Sequence, residues 1–161
     1  MKKIYSLILS LFLIIFINGC AGYKPLFNSS SLMINIKKHT IEGDQDLGKR
    51  IYLKLENLLK SKNKKDKKNI NLILDISKNK QPTIKDKSGK IVEYKITLNT
   101  IIIVKKYETE KLILNKNISN SINYTVQDQY SQSMIKENKA IEDLINQTYQ
   151  EVLVILIQNI S

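Results

Sequence analysis

Residues 91–126 read IVEYKITLNTIIIVKKYETEKLILNKNISNSINYTV, and two runs in this stretch alternate between apolar and polar side chains. The first run predicts a strand whose apolar face holds Val92, Tyr94, Ile96, Leu98, Ile102 and Val104. The second predicts a strand whose apolar face holds Leu112, Leu114, Ile118, Ile122, Tyr124 and Val126. A two-residue period is typical of strands that are buried on one side, so the stretch predicts a sheet with one apolar and one polar face.

Shorter alternating runs predict two more strands earlier in the chain. Apolar residues fall at positions 32, 34 and 36, and a second run places one apolar set on a shared face: Ile70, Leu72, Leu74 and Ile76. The segment KNKQPTIKDKSGK at 78–90 then predicts loop structure, either one long polar hairpin or two short ones. Pro82 and the Ser88-Gly89 pair supply the turn chemistry of this loop.

Two other segments have the spacing of amphipathic helices. In EGDQDLGKRIYLKLENLLKS, at 42–61, Asp44 or Asp46 is the predicted N-cap, and apolar residues recur at helical spacing: Leu47, Ile51, Leu55, Leu58 and Leu59. A final helix is predicted from about Ser133 to the end of the chain. Its last turns, EVLVILIQNI, are apolar nearly all round, so they are either buried in the core or pressed against something outside the domain.

The element order is therefore β-α-β-β-β-α, which predicts an α+β sandwich with two helices on one face of a four-stranded mixed or antiparallel sheet. The opposite face is rich in Asn, Thr, Ser and Lys and is dotted with Ile73, Ile101 and Ile103. Such a face is either ordinary surface or the contact for a wet partner surface, for example the lumen of a β-barrel.

The N-terminus has the organisation of an export signal. Lys2 and Lys3 precede an apolar block of about 14 residues, which is shorter than the roughly 20 residues that span a bilayer as a helix. The sequence Ile17-Asn18-Gly19-Cys20 resembles the lipobox of bacterial lipoprotein signals. That resemblance implies that Cys20 becomes the first mature residue and carries a diacylglycerol thioether and an amine-linked acyl chain such as palmitate. The alternatives are an ordinary cleaved signal or an uncleaved anchor, each with a free Cys20 thiol.

These features divide the chain into a signal peptide at 1–19, a lipidated linker at 20–30 and a single domain at 31–161. The domain is expected to fold on its core alone, because one cysteine cannot form an internal disulfide. Several acyl chains hold a protein stably on a membrane. Ala21, in place of an aspartate after the cysteine, favours the outer membrane by analogy with bacterial sorting signals.

The formal charge is +11 and falls to +9 without Lys2 and Lys3. For an exported protein we expect lipid or lipopolysaccharide phosphates, and no nucleic acid, as polyanionic partners. Part of the lysine excess is also explained by a bias toward Ile, Lys and Asn that is typical of AT-rich genomes. The run KSKNKKDKK at 60–68 predicts a connecting loop, with a phosphate-contacting patch as the alternative.

Few residues have the pattern of a catalytic or metal site. His39 is the only histidine, and Glu42, Asp44 and Asp46 directly precede a predicted helix, where carboxylates act as caps. The sequence contains no GxGxxG, phosphate loop or HExxH motif. We therefore expect no enzyme activity, no catalytic residues, no metal and no cofactor, and predict a binding or assembly role.

The segment CAGYKPLF at 20–27 resembles the mature start of the LptE family of lipopolysaccharide-assembly lipoproteins, in its alphaproteobacterial form. That start is a cysteine, one or two small residues, an aromatic, a basic residue, a proline and two apolar residues, and Ala21 makes this chain one residue longer than the tightest version. The resemblance continues at 121–156, SINYTVQDQYSQSMIKENKAIEDLINQTYQEVLVIL, where a last strand leads through a Tyr-containing turn into a helix near an aromatic-Ser pair.

This resemblance implies a lipoprotein, anchored by Cys20 on the periplasmic side of the outer membrane, that plugs and helps assemble the β-barrel LptD for lipopolysaccharide transport. From the strand pattern, and not from a family motif, we hypothesise that four lysines contact lipid A or core phosphates: Lys95, Lys105, Lys106 and Lys111. Two alternatives remain. A lipid or lipoprotein carrier would need an apolar cavity in a more closed, strand-rich fold, and a cell-wall enzyme or peptidoglycan-binding protein would need a catalytic set or an aromatic sugar surface.

Overall fold

A single sheet and two helices account for most of the residues that the computed structural model describes, which are 33–59 and 67–160. The elements in chain order are β1 (Ile34–Gly43), α1 (Gln45–Leu59), β2 (Lys68–Lys85), β3 (Ile91–Lys106), β4 (Leu112–Thr125) and α2 (Tyr130–Ile160). The strands lie side by side as β1-β2-β3-β4, with β1 parallel to β2 and the other pairs antiparallel. The predicted α+β class, element order and mixed four-stranded sheet are confirmed.

Both helices pack on the sheet face that carries the alternating apolar residues. The largest fully buried side chains come from that face and from the helices: Ile34, Ile51, Leu55, Ile70, Leu72, Leu74, Ile76, Ile96, Leu98, Ile102, Leu144 and Ile145. Burying one such side chain stabilises the folded chain by about 1.5–3 kcal/mol. The apolar face of the strands, with its two-residue period, and the apolar faces of the helices, with their 3.6-residue period, therefore pack into one core.

A sharp turn joins β1 to α1. Gly43 adopts a φ of 70°, and the Asp44 N–H donates to the Ile76 carbonyl at 2.7 Å. Asp44 is the N-cap, since its Oδ1 accepts a hydrogen bond from the Leu47 N–H at 3.1 Å. Of the two predicted caps, Asp44 is thus correct, and Asp46 lies in the first helical turn.

Of the two alternatives for 78–90, the single long hairpin is observed, but its residues 78–85 are strand and not loop, because β2 continues as far as Lys85. β1 ends opposite Ile76, so among the described strands this part of β2 is paired only with β3 and is an exposed edge. Backbone hydrogen bonds to β3 stabilise this part of β2. Such hydrogen bonds do not depend on apolar side chains, so they leave no hydrophobic pattern in the sequence. Pro82 is tolerated there because an edge strand does not need every N–H. Asp86 closes the turn by accepting hydrogen bonds from the Ser88 and Lys90 N–H groups.

The final helix begins at Tyr130, three residues before the predicted start, and ends at Ile160. Of the two alternatives for its apolar last turns, burial in the core is confirmed for four residues: Val152, Leu153, Leu156 and Ile160. Ile155 and Ile157 are partly buried against the same core. Glu142 ties this helix to α1 through ion pairs with Arg50 and, at 3.1 Å, with Lys54.

Candidate functional site: the open face of the sheet

The sheet face opposite the helices, here called the open face, is covered mostly by uncharged polar side chains. The polar side chains that alternate with the apolar ones on β3 and β4 lie on it, and several of them hydrogen-bond across strands. Ser119 donates to Asn99 Oδ1 at 2.7 Å, and Asn123 donates to Glu93 Oε1 at 3.0 Å. Neither of the two described helices covers these residues, and many are exposed or half-exposed, so the open face is available to a partner.

Three isoleucines interrupt this polar surface and form the isoleucine patch, which consists of Ile73, Ile101 and Ile103. Ile73 lies directly opposite Ile103 on neighbouring strands, and Ile101 lies opposite Asp75. Ile101 is 37% exposed, while Ile73 and Ile103 are half-buried. The patch is thus a small apolar area at the centre of a polar surface.

The turn between β3 and β4 folds over one end of the open face. The Tyr107 N–H donates to the Asn69 carbonyl at 3.2 Å, and the Asn69 amide donates to Glu108. A hydrogen bond from its own backbone N–H, together with the one from Asn69, lowers the pKa of Glu108. Asn71 is buried and donates to Glu110, but its Oδ1 has no hydrogen-bond partner among the described residues.

The lysines predicted to bind lipopolysaccharide do not form one cluster. Lys105 and Lys95 are both on the open face, about ten residues apart, which is about 33 Å along a strand. Lys106 pairs with the buried Ile70 and so points toward the helix side, and its N–H donates to the Lys111 carbonyl at 2.8 Å. The set therefore divides into hairpin lysines (Lys105, Lys106 and Lys111) at one end of the sheet and Lys95 near the other.

Other predicted positions lie largely outside the described residues. These include Cys20, the whole of 1–30 and most of the 60–68 lysine run. The helix before that run ends at Leu59 and the strand after it begins at Lys68, where the connecting loop was predicted. Lys68 donates to the Ile160 carbonyl at 2.6 Å, so this lysine satisfies the C-terminal end of α2.

Sequence reasoning missed a groove between the start of α2 and the ends of β2, β3 and β4. This tyrosine groove has a volume of about 550 Å³ and is open to solvent. Its lining includes Lys80, Tyr94, Tyr124, Tyr130, Met134 and Glu137. The tyrosines of the two strands share the apolar period of the core, so the pattern gave no reason to separate them from it.

A charged pair lies inside the tyrosine groove. Lys80 Nζ is 2.6 Å from Glu137 Oε2 and 4.5 Å from the centre of the Tyr94 ring, and the Tyr124 hydroxyl donates to the same Glu137 oxygen at 2.8 Å. Burial alone would raise the pKa of Glu137, but the hydrogen bonds from Lys80 and Tyr124 lower it overall. Burial alone would lower the pKa of Lys80, and the hydrogen bond with Glu137 raises it overall. Both groups are therefore charged at neutral pH.

Within residues 33–59 and 67–160, no three His, Cys, Asp or Glu side chains are grouped so that they could hold a metal ion. His39 stacks on Tyr52, with 3.8 Å between the ring centres. Neither of the helices in this part of the chain is long and apolar enough to cross a membrane.

Comparison with solved structures defines the class of fold. The chain has the fold of a lipoprotein from Caulobacter crescentus CB15, with a TM-score of 0.58 and 12% identity over 81% of this chain and 92% of that one. Rare lipoprotein B from Shewanella oneidensis matches with a TM-score of 0.55 and 14% identity over 77% and 95% of the two chains. Lipoprotein B from Nitrosomonas europaea matches with a TM-score of 0.57 and 15% identity over 82% and 88%.

These likenesses establish a fold that is shared with solved bacterial lipoproteins, along nearly the whole length of each. No protein-family model and no curated protein sequence matches the chain. The comparisons thus establish the fold of the chain and not a protein family.

Proposed function

We propose that this chain is an outer-membrane lipoprotein that plugs and helps assemble an LptD-type β-barrel for lipopolysaccharide transport. In this proposal Cys20 carries the lipid anchor and the domain faces the periplasm. The support comes from the lipobox, from the resemblance of CAGYKPLF to the LptE family, and from a fold shared with bacterial lipoproteins.

The open face is the observation that carries the proposal. Two helices cover one side of the sheet, while the other side presents mostly uncharged polar groups around the isoleucine patch. The interior of a large outer-membrane barrel is polar and wet. A mostly uncharged polar surface with a small apolar centre suits such a wall, because its amide and hydroxyl side chains hydrogen-bond to it or to bridging water.

The role is one of binding and assembly, and we propose no catalytic step. His39, the only histidine, is held in a ring stack with Tyr52. The alternative of a lipid or lipoprotein carrier requires an enclosed apolar cavity for an acyl chain. The tyrosine groove is open and contains the Lys80–Glu137 ion pair, so it suits an acyl chain poorly. An acyl lipid bound to the purified protein in stoichiometric amount would favour the carrier.

Depletion of the protein in its own bacterium tests the proposed function. We expect less folded barrel and less lipopolysaccharide at the cell surface, both restored by the parent gene. A Cys20→Ala variant, which keeps the domain but removes the anchor, is expected to restore them poorly. Unchanged surface lipopolysaccharide after complete depletion would contradict the proposal.

A further inference from the structure

The tyrosine groove lies at the opposite end of the sheet from the hairpin lysines, so the phosphate contacts hypothesised for those lysines do not account for it. Its mouth is marked by Tyr130 and Met134, which are one helical turn apart on α2 and are 78% and 46% exposed. Exposed side chains of this size beside a cavity are typical of a ligand site.

The charges of the groove disfavour a phosphate ligand. Lys80 is committed to Glu137 at 2.6 Å, and the next charged residue in the lining, Asp128, is an acid. Lys90 reaches Asp128 only at 3.5 Å, at the exposed rim. Phosphate sites are instead built from cations that donate several charge-assisted hydrogen bonds to the anion. The groove has no such surplus of positive charge, although the whole chain carries a formal charge of +11.

The polarity of the groove fits a ligand that is apolar on one side and rich in hydroxyl groups on the other. The Tyr130 ring and the Met134 side chain offer apolar contact area, while Gln127, Asp128 and Asn138 offer donors and acceptors. The side-chain amide of Asn138 makes no hydrogen bond to any other described residue. A pyranose ring has this chemistry, because its C–H face packs on an aromatic ring and its hydroxyls pair with carboxylate and amide groups.

We propose that the tyrosine groove binds sugar rings of the lipopolysaccharide, with one ring stacked on Tyr130 beside Asp128 and the hydroxyls of a neighbouring ring hydrogen-bonded to Asn138. This inference rests on the proposed function. It specifies that the groove contacts the sugar part of the glycolipid. The phosphates contact lysines elsewhere, and the acyl chains stay outside the groove.

The test uses the full-length protein in mild detergent and a core oligosaccharide that has been deacylated and dephosphorylated. We expect saturable binding by calorimetry, with affinity reduced about tenfold by Tyr130→Ala, as for the loss of one stacking contact. The matched control is Ile135→Ala, because Ile135 is 66% exposed on the same helix but does not line the groove. That variant is expected to bind like the parent.

Binding only of the phosphorylated oligosaccharide would overturn the inference, as would equal losses in the Tyr130 and Ile135 variants. Binding of a peptide of the partner barrel in the groove, with no binding of the oligosaccharide, would also overturn the inference. The groove would then be a contact site for the barrel. If the protein in such a case still binds intact lipopolysaccharide and its barrel, the proposed function stands. Loss of both of those partners would instead mark failure of the proposed function itself.

Discussion

Lys80 on β2 and Glu137 on α2 form an ion pair with 2.6 Å between Nζ and Oε2. The Tyr124 hydroxyl donates to the same carboxylate at 2.8 Å, and the Lys80 ammonium lies over the Tyr94 ring. Lys80 belongs to the part of β2 that extends past β1. The pair therefore fastens the projecting β2–β3 hairpin to the start of the last helix and shapes the tyrosine groove.

The first prediction concerns the pH dependence of stability. The folded-state pKa of Glu137 is lowered, against the opposing effect of burial, by hydrogen bonds from Lys80 and Tyr124. Its stabilising effect is then complete above the ordinary glutamate pKa of about 4.3 and is lost as the pH falls through the lowered folded value. We expect Glu137→Gln to flatten the fall in the free energy of unfolding below about pH 5, measured by urea denaturation.

Asp128→Asn is the control for this prediction. Its carboxylate lies 3.5 Å from Lys90, and its side chain is fully exposed. We expect the pH profile of this variant to match that of the parent, because exposed pairs contribute little. Parallel profiles for the parent and Glu137→Gln would show that the Lys80–Glu137 contact does not contribute to stability in this way.

The second prediction concerns the turn before α1. A Cβ added to Gly43 would lie 2.1 Å from the Ile76 carbonyl oxygen, at a residue whose φ is already 70°. We expect Gly43→Ala to lower the free energy of unfolding by about 3 kcal/mol or more, since both the backbone strain and the clash oppose it. Gly89 has a similar φ of 85° but open space around it, so Gly89→Ala should cost only about 1 kcal/mol. Equal decreases in the free energy of unfolding of the two variants, measured by thermal or urea unfolding, would contradict the predicted clash at Gly43.

The third prediction concerns a hydroxyl in the core. Thr100 is fully buried on β3, and within the part of the chain that the structure describes its Oγ1 has no hydrogen-bond partner. Thr100→Val removes this unpaired group at nearly constant volume, so we expect an increase of about 1 kcal/mol in the free energy of unfolding. The control is the equally buried Thr148, whose Oγ1 accepts a hydrogen bond from Asn120 at 3.2 Å. Thr148→Val should be destabilising, and a destabilised Thr100→Val would contradict the account.

The fourth prediction concerns the lysines and rests on the proposed function. Because the hairpin lysines are grouped at one end of the sheet, reversing Lys105 and Lys111 to Glu should weaken lipopolysaccharide binding about tenfold or more. Lys95→Glu should have a smaller effect, since this residue stands apart from them. Lys136→Glu, an exposed position on α2, is the control for charge alone. Binding is measured on immobilised lipopolysaccharide. A similar loss of affinity in the double variant, in Lys95→Glu and in Lys136→Glu would show that only the net charge matters.

Most of the fold was predictable because burial leaves a period in the sequence. Ile96 and Leu98 alternate with polar residues, and both are fully buried where the pattern placed them. The extension of β2 to Lys85 was not predictable from that period, because neither of its faces is buried. Its stability comes from the β3 ladder and from Lys80, which contacts a helix 57 positions away.

The candidate site was less predictable than the fold. The polar open face followed from the alternation of β3 and β4, but the separation of Lys95 from Lys105 depends on strand length and on the position of the turn. The tyrosine groove depends on where α2 begins beside the strand ends. Tyr124 occupies a core-facing position and is only 8% exposed, so the sequence pattern does not distinguish it from the core residues of β4.

The most direct test of the central claim is to purify the tagged full-length protein from the outer membrane of its own or a related bacterium in mild detergent and to identify what accompanies it by mass spectrometry. We predict a single large β-barrel protein at close to a one-to-one ratio, with the mature chain starting at a lipidated Cys20. A lipidated protein that purifies alone, under conditions that preserve other barrel complexes, would contradict the assignment as a barrel plug.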